Sequence, residues 1–318
     1  MPAPLLLADT PWLLYRSFFA LPKTIVDGDG RPVNALLGTV NAILALIEPP
    51  SRAARAALRD AGIAEPPRAV VACTGAEEAA YRVELYRPYH AHRDPMPPEL
   101  AEQWRRAPAL LEALGWTVTG SEDLEADDLM FSYARQETAA GGGRALLLSG
   151  DRDMYGAVGE RVAVVETGKG GAVGLIGPEQ VLERYGIAPE LVPDFIALRG
   201  DPSDGLPGAP GIGAKTAAEL LRRYGPLEDV LRAAGEAANR VRREQGEMSP
   251  RAAQSLREND ELLRSFKRIA TLQEIEVLQP ADRPTDFAAG AKAAEENGMR
   301  RLAERLEKLA QSRSAGAP

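Results

Sequence analysis

The stretch ALLLSGDRDMY, residues 145–155, joins four apolar residues to a Ser-Gly break and two aspartates. It reads as a buried strand whose C-terminal end delivers acids into a turn. PLLLAD, residues 4–9, repeats the arrangement with Asp9 at its end, and further short apolar runs stand in AVVAC from residue 69, WTV from 116 and VAVVET from 162. Between them lie NALLGTVNAILALIE and ADDLMFSYARQETAA, apolar at helical spacing. This alternation over the first 170 residues predicts an α/β fold with a parallel sheet and crossover helices, in which ligands sit outside the carboxyl ends of the strands.

From residue 178 the pattern turns helical, through PEQVLERYG, PELVPDFIALRG and AKTAAELLRRYG to a long polar helix from Arg251 to Leu272. The last thirty or so residues alternate Ala with charges and read as a loosely packed helix ending in the frayed tail SRSAGAP. Gly141, Gly142 and Gly143 read as a turn before a strand. KGGAVG from Lys169 reads as a hairpin loop, since it lacks the P-loop pattern.

With 318 residues, 45% of them hydrophobic, the chain can bury a sizeable core. Its apolar runs fall far short of a membrane span and no targeting segment opens it, so the expected location is cytoplasmic, with no membrane partner. A single cysteine, Cys73, excludes an internal disulfide framework, and with two histidines it leaves little for zinc. Any metal must be held by oxygen. The net charge of −8 argues at first against nucleic acid. If eight carboxylates are spent on cations, however, the remaining acids equal the 38 Lys plus Arg, and local arginine patches remain free to hold phosphates.

Those eight are Asp9, Glu125, Asp127 and Asp128 in LEADDL, Asp151 and Asp153 in GDRD, and Asp201 and Asp204 in RGDPSDG. Each fragment alone has a plain reading, EADD as a helix cap and GDRD as a turn. At least three fragments, however, fall on one edge of one sheet, where their charges repel unless a cation neutralises them. Such an all-oxygen site suits Mg²⁺ or Mn²⁺. Phosphodiester hydrolysis by two metal ions roughly 4 Å apart needs no Ser, Cys or His nucleophile.

The segment LPGAPGIGAKTAAELLRRYG places a Gly-Ile-Gly turn, residues 211–213, directly before an amphipathic helix with Lys215 and Thr216 in its first turn. Glycines let the backbone approach a phosphate, and free amides at the helix start favour the anion. A tight helix connection uses glycines equally well. Lys215 favours the phosphate reading, because the chain has six lysines against thirty-two arginines.

Taken together, LLLADTPWLLYRSFFALP, YRVELYRPYHAHRDPMP, LEADDLM, LSGDRDMY and LRGDPSDGLPGAPGIGAKTA resemble the bacterial 5′-3′ exonuclease family, related to the nuclease domain of DNA polymerase I and to flap endonucleases. The resemblance runs from about Leu5 to Leu231. It implies a PIN-like 5′ nuclease core over residues 1–177, a helical arch at about 81–106, and a helix-hairpin-helix type (H3TH) DNA-binding module over 178–280 with its helix-loop-helix at 206–224. A C-terminal helix and tail would fill 281–318. The eight acids would be ligands of two Mg²⁺ or Mn²⁺ ions or their near neighbours. Arg82, His90 and Arg93 would be catalytic residues of the arch. Gly211, Ile212, Gly213, Lys215 and Thr216 would form the DNA-binding turn, whose loop also holds K⁺, and Tyr15 and Arg16 match positions that touch the substrate. The implied activity is 5′-3′ exonuclease and 5′ flap endonuclease action on DNA with 5′ ends, flaps or nicks, in replication or repair, by a stand-alone nuclease without a polymerase domain. A partner polymerase or ligase is not legible in the sequence.

Two positions depart from the family pattern. Where the family carries an aspartate after the second strand, this chain has Gly75, and Glu77 and Glu78 read as solvated loop acids. His90 stands for the gateway lysine, and His90 and His92 read as solvent-facing arch residues. Trp12, Phe18, Phe19 and Trp116 read as core, as does Cys73. Three rivals remain: a DNA-structure-binding member of the same fold with weak or lost catalysis, a haloacid-dehalogenase-like phosphatase, and a ribonuclease, since a backbone-reading site can tolerate RNA or RNA-DNA hybrids. Pro11 stands where the phosphatase needs its second aspartate.

Overall fold

The central strand β1 (Leu5–Asp9) is buried along its whole length, as are β2 (Ala69–Cys73) and β4 (Ala145–Leu148). Strands covered on both faces read as continuous apolar runs, which is why these three were plain in the sequence. The computed structural model describes residues 3–139, 142–168, 173–237 and 248–315. Its sheet also includes β3 (Thr117–Thr119), β5 (Val162–Thr167) and β6 (Val173–Ile176), in the order β3-β2-β1-β4-β5-β6. Strands β1 to β5 are parallel, with Leu5 level with Ala69 on one side and Ala145 on the other.

β6 corrects the all-parallel expectation: it pairs antiparallel with β5, Val164 opposite Ile176. The link between them is far too short for a parallel crossover, so the chain can only double back. Lys169 to Ala172 of the expected hairpin loop lie outside the described residues, as does Gly141 of the glycine triplet. The order reverses between β1 and β4, and this switch point opens a crevice at their carboxyl ends.

The period of two along each strand divides the core. Leu6, Ala8 and Leu146 face α1 (Thr10–Ala20), α2 (Asn34–Ile47) and α5 (Pro98–Ala113), with α3 (Arg52–Asp60) contributing Leu58. Leu5, Leu7 and Leu147 face α6 (Ala126–Ala139), and α4 (Ala80–Leu85) lies between β2 and α5 in the chain. The same core layer continues into the helical module of α7 (Pro178–Tyr185), α8 (Val192–Arg199), α9 (Ala214–Tyr224), α10 (Leu227–Ala237), α11 (Pro250–Glu258) and α12 (Asp260–Ala270). The expected single helix from Arg251 to Leu272 is thus two, broken at Asn259.

The C-terminal region also departs from expectation. Two helices, α13 (Phe287–Glu296) and α14 (Arg300–Ala315), return to the sheet and bury Phe287, Ala294, Leu302 and Leu306 in the core shared with α2 and α5. Ser312 to Ala315 of the expected frayed tail belong to α14. Small alanines let α13 pack closely, and Gly290 lies so near Leu114 that a Cβ would meet its side chain at 2.3 Å. Leu306→Ala is therefore expected to cost about 2–5 kcal/mol in urea unfolding, as for a core leucine. A cost near zero would return α14 to a loose appendage.

Candidate active site

Asp9 ends β1 and caps α1. One carboxylate oxygen accepts the Trp12 amide at 3.0 Å and the other accepts the Ser149 hydroxyl at 2.7 Å. Ser149, next after β4, uses the same hydroxyl oxygen to accept the Asp151 amide at 3.0 Å, and Asp151 in turn accepts the Asp153 amide at 3.0 Å. The two central strands are therefore cross-linked at the crevice by a serine that sequence reasoning passed over, although it stands in the opening motif. Asp127 projects from the first turn of α6, across the crevice.

Burial pushes Asp9 up to about 6, with Glu125 adding to the rise. Asp151 is pushed up to about 6 by burial, then by Asp204, Asp9 and Asp201. Asp127 and Asp153 are raised well above the carboxylate range by burial and by these same acids. The structure thus brings Asp9, Glu125, Asp127, Asp151, Asp153, Asp201 and Asp204 into one negative field. Among the described residues no three acids, cysteines or histidines close around a single point. The carboxylates line the crevice rather than enclosing an ion, and the fit to a cation rests on their uncompensated charge.

A proton held more tightly in the folded than in the unfolded state means stability that falls as pH rises. For Asp9 and Asp151 that loss runs from the ordinary carboxyl value of 3.8 to about 6. Asp27, Glu166 and Glu228 have lowered values and lose their contribution only at still lower pH. With chelator present, the acids of the crevice are expected to make the protein melt higher at about pH 5 than at about pH 7.5, and Mg²⁺ is expected to raise the melting temperature mainly at the higher pH. Equal Mg²⁺ effects at both pH values would disconnect these acids from cation binding.

Asp128, fully buried, is raised above the ordinary carboxylate value by burial, against the pull of Arg82 and the Gln273 amide, with Glu125 adding to the rise. Its Oδ1 accepts Arg82 Nη2 at 2.8 Å and the Gln273 amide at 2.8 Å. Arg82, expected as a catalytic residue of the arch, is turned into the protein: it is 3% exposed, donates through Nε to the Ile269 carbonyl at 3.0 Å, and pairs with Glu125 at 2.9 Å. The short helix α4 packs against α12, which turns Arg82 inward. Glu125 also accepts the Ala79 amide at 2.8 Å and the Tyr89 hydroxyl at 3.1 Å.

His90 is likewise buried, not solvent-facing. It stacks on Tyr89 at 3.8 Å, sets Nε2 3.0 Å from Asp204 Oδ1, and donates its backbone N–H to the Asp204 carbonyl at 3.1 Å. Its φ of 54° marks the sharp turn that lets both groups reach one residue. Arg93 reaches the same Asp204 oxygen at 3.2 Å, but its side chain is 47% exposed. His92 is exposed, as expected. Asp201 accepts Arg199 at 3.0 Å and the Ser203 amide at 2.8 Å.

At Gly75 the backbone of the acid loop comes very close. A Cβ there would meet the Ala126 nitrogen and the Leu124 carbonyl oxygen at 2.6 Å. The position that the family fills with an acid is closed by LEADD itself. Glu77 and Glu78 are exposed.

Gly211 and Gly213 have nothing within 4 Å of an added Cβ, and Gly211 has a φ of 78°. Ile212 anchors the turn in the core, while Lys215 is exposed and Thr216 half-buried at the start of α9. Gly213 caps α9 without a side-chain hydrogen bond, leaving the first amides free. Arg16 is committed to β5, donating to the Thr167 hydroxyl and carbonyl. Tyr15 donates to Glu77 at 3.3 Å and is pushed up to about 12 by burial and by Glu77. Phe18 and Trp116 are core residues and Trp12 is half-buried, but Phe19, at 70% exposure, contradicts the core reading. Helix α1 buries Thr10 and the stripe of Leu13, Leu14, Ser17 and Phe18, which leaves Phe19 outside it.

The model of the 5′-3′ exonuclease N-terminal resolvase-like domain matches residues 4–186, and that of the 5′-3′ exonuclease C-terminal SAM fold matches residues 187–288. A 5′-3′ exonuclease of Mycobacterium tuberculosis is 35% identical over 257 residues, 74% of this chain and 75% of the relative. DNA polymerase I of Mycobacterium bovis is 37% identical over 229 residues, 71% of this chain but 24% of the polymerase. Among solved structures, the T5 D15 protein co-crystallised with metal ions superposes with a TM-score of 0.63 at 16% identity, covering 96% of this chain and 99% of that one. At that identity the likeness speaks for the fold.

Proposed function

The chain belongs to the 5′-3′ exonuclease family, whose two domain models span it from residue 4 to residue 288, and from that premise we propose that it hydrolyses DNA phosphodiesters at or near 5′ ends, as an exonuclease and as a structure-specific flap endonuclease. The observation that carries this reading is the linked, buried charge of Asp9, Asp127, Asp151 and Asp153, which a bound cation relieves at neutral pH as protons do at lower pH.

In this reading Asp9, Glu125, Asp127, Asp151, Asp153, Asp201 and Asp204 hold two divalent ions, Mg²⁺ or Mn²⁺. Bound there, such ions supply a hydroxide nucleophile and stabilise the departing oxygen. Ser149 and the Trp12 amide orient Asp9, and His90 orients Asp204. The exposed head of Arg93 meets the incoming phosphate. The open turn at Gly211–Gly213 and Lys215 hold the duplex backbone, and the resemblance implies a K⁺ in the same loop. Work on DNA fits a cytoplasmic location, and no helix among the described residues is long and apolar enough to cross a membrane.

Product mapping on 5′-labelled flap, nicked and single-stranded DNA, with titrated Mg²⁺ and Mn²⁺, tests the reading. Cleavage near the 5′ end that vanishes with chelator is expected. Binding without cleavage would favour the structure-binding rival. Lys215→Ala is expected to weaken duplex binding across all sequences and to reduce the salt slope by about 1.

A further inference from the structure

Arg82 holds three separate segments at once, and from this placement we infer that it is a positioning residue that fixes the distance between the DNA-binding turn and the acid cluster, and thereby where the cut falls. The inference rests on the nuclease reading above. Arg82 lies on α4, at the base of the expected arch. Its guanidinium engages Glu125 and Asp128 at the start of α6 and the Ile269 carbonyl near the end of α12. Asp128 extends the joint by accepting the amide of Gln273, just beyond α12. Tyr86, at the end of α4, sets its ring edge-on to Phe266 of α12 at 5.0 Å.

On its other side α12 is tied to the module that carries the turn. Lys267 Nζ lies 2.7 Å from Asp194 of α8, and Asp194 also accepts the Leu227 amide at the head of α10 at 2.6 Å. Helix α8 runs on into the loop of Asp201 and Asp204 and then into the Gly211–Gly213 turn. The last turn of α12 is thus held twice, by Arg82 to the acids through the Ile269 carbonyl and by Lys267 to the DNA-binding module. A planar fork hydrogen-bonded to two acceptors and ion-paired to Glu125 allows little rotation, and a buried charged joint does not exchange its partners for water.

A protein that grips backbone phosphates has no base contacts to set its register. The cut position is then the length of the protein between grip and acids, and a displacement of about 3.4 Å along the duplex axis corresponds to one nucleotide.

The test maps flap-cleavage products at single-nucleotide resolution for the wild-type protein, Arg82→Lys and Lys267→Ala, with the folded fraction of each measured by circular dichroism. Lys267 lies at the other joint and is partly exposed, so its variant serves if Arg82→Lys folds poorly. Loosening either joint is expected to raise the share of products at neighbouring positions by about threefold or more. Arg93→Ala, which alters a phosphate contact but neither joint, is expected to slow cleavage at an unchanged position. Wild-type cut positions in both joint variants, with rates lowered only in proportion to the folded fraction, would overturn the inference and leave the nuclease reading intact. Failure of the wild-type protein to cleave would overturn both.

Discussion

Asp127→Asn and Asp151→Asn are each expected to lower the cleavage rate by about 10²- to 10³-fold while raising the melting temperature of the metal-free protein. The rate loss is of the size seen when one preorganised electrostatic group is removed from a reaction centre. The gain in stability has the same origin. Both carboxylates are held above the ordinary range by burial and by their neighbours, Asp151 at about 6. An amide of the same shape removes a buried charge that costs free energy near neutral pH, so the fold gains what the site loses. Ser149→Ala should show a milder form of the same coupling. It frees Asp9 and the Asp151 amide together and is expected to weaken metal affinity or activity by about 10- to 100-fold. Full activity in both aspartate variants would remove the crevice from the reaction. A drop in melting temperature in both would show that their charge is already balanced in the folded protein.

The second large effect is expected at Gly75, and its sign opposes what family resemblance suggests. Restoring an acid with Gly75→Asp would add a carboxylate where relatives of this pattern carry one. Here the first added carbon already collides with backbone on the segment that carries Glu125 and Asp127. Backbone cannot rotate aside as a flexible side chain does, so the strain is expected to cost about 1–3 kcal/mol. It also pushes the acids out of position, and misplacement by about 1 Å lowers a rate by up to 10²-fold. The variant should therefore melt lower and cleave more slowly at every Mg²⁺ concentration. A lower Mg²⁺ requirement with unchanged stability would mean that the loop yields and that the missing acid is a true vacancy. Gly75→Ala separates the two effects, because it carries the collision without the charge.

The close approach at Gly75 also explains how the chain tolerates its departure from the family pattern. The Ala76 amide donates to the Leu124 carbonyl at 3.0 Å, so the strand end and the acid loop are stitched together where an acid would hold them apart. The remaining acids are supported from the protein side, Asp9 by Ser149 and Asp204 by His90 and Arg93. Such support fixes oxygens in place whether or not every ligand position is filled.

The sequence by itself determined the five parallel strands, the carboxyl-end placement of the acids and the turn at Gly211–Gly213. Each of these depends on neighbours in the chain: an apolar run long enough to be buried on both faces, an acid following it, a glycine pair before a helix. Only the tertiary structure decided which way Arg82, Asp128 and His90 face. Arg82 meets Asp128 across 46 residues and Ile269 across 187, and His90 meets Asp204 across 114. No local pattern encodes such pairings, because a charged side chain reads the same whether it turns toward a phosphate or toward a carboxylate brought in from elsewhere. The same limit hid the packing of α13 and α14, whose alanine-rich faces are weakly apolar alone and gain their burial from the groove beside α5. It hid the closure at Gly75 as well, since the obstacle there is backbone from a segment fifty residues away, on the order of a whole helix and strand. What was local was legible, and what was decided by the meeting of distant segments needed the fold.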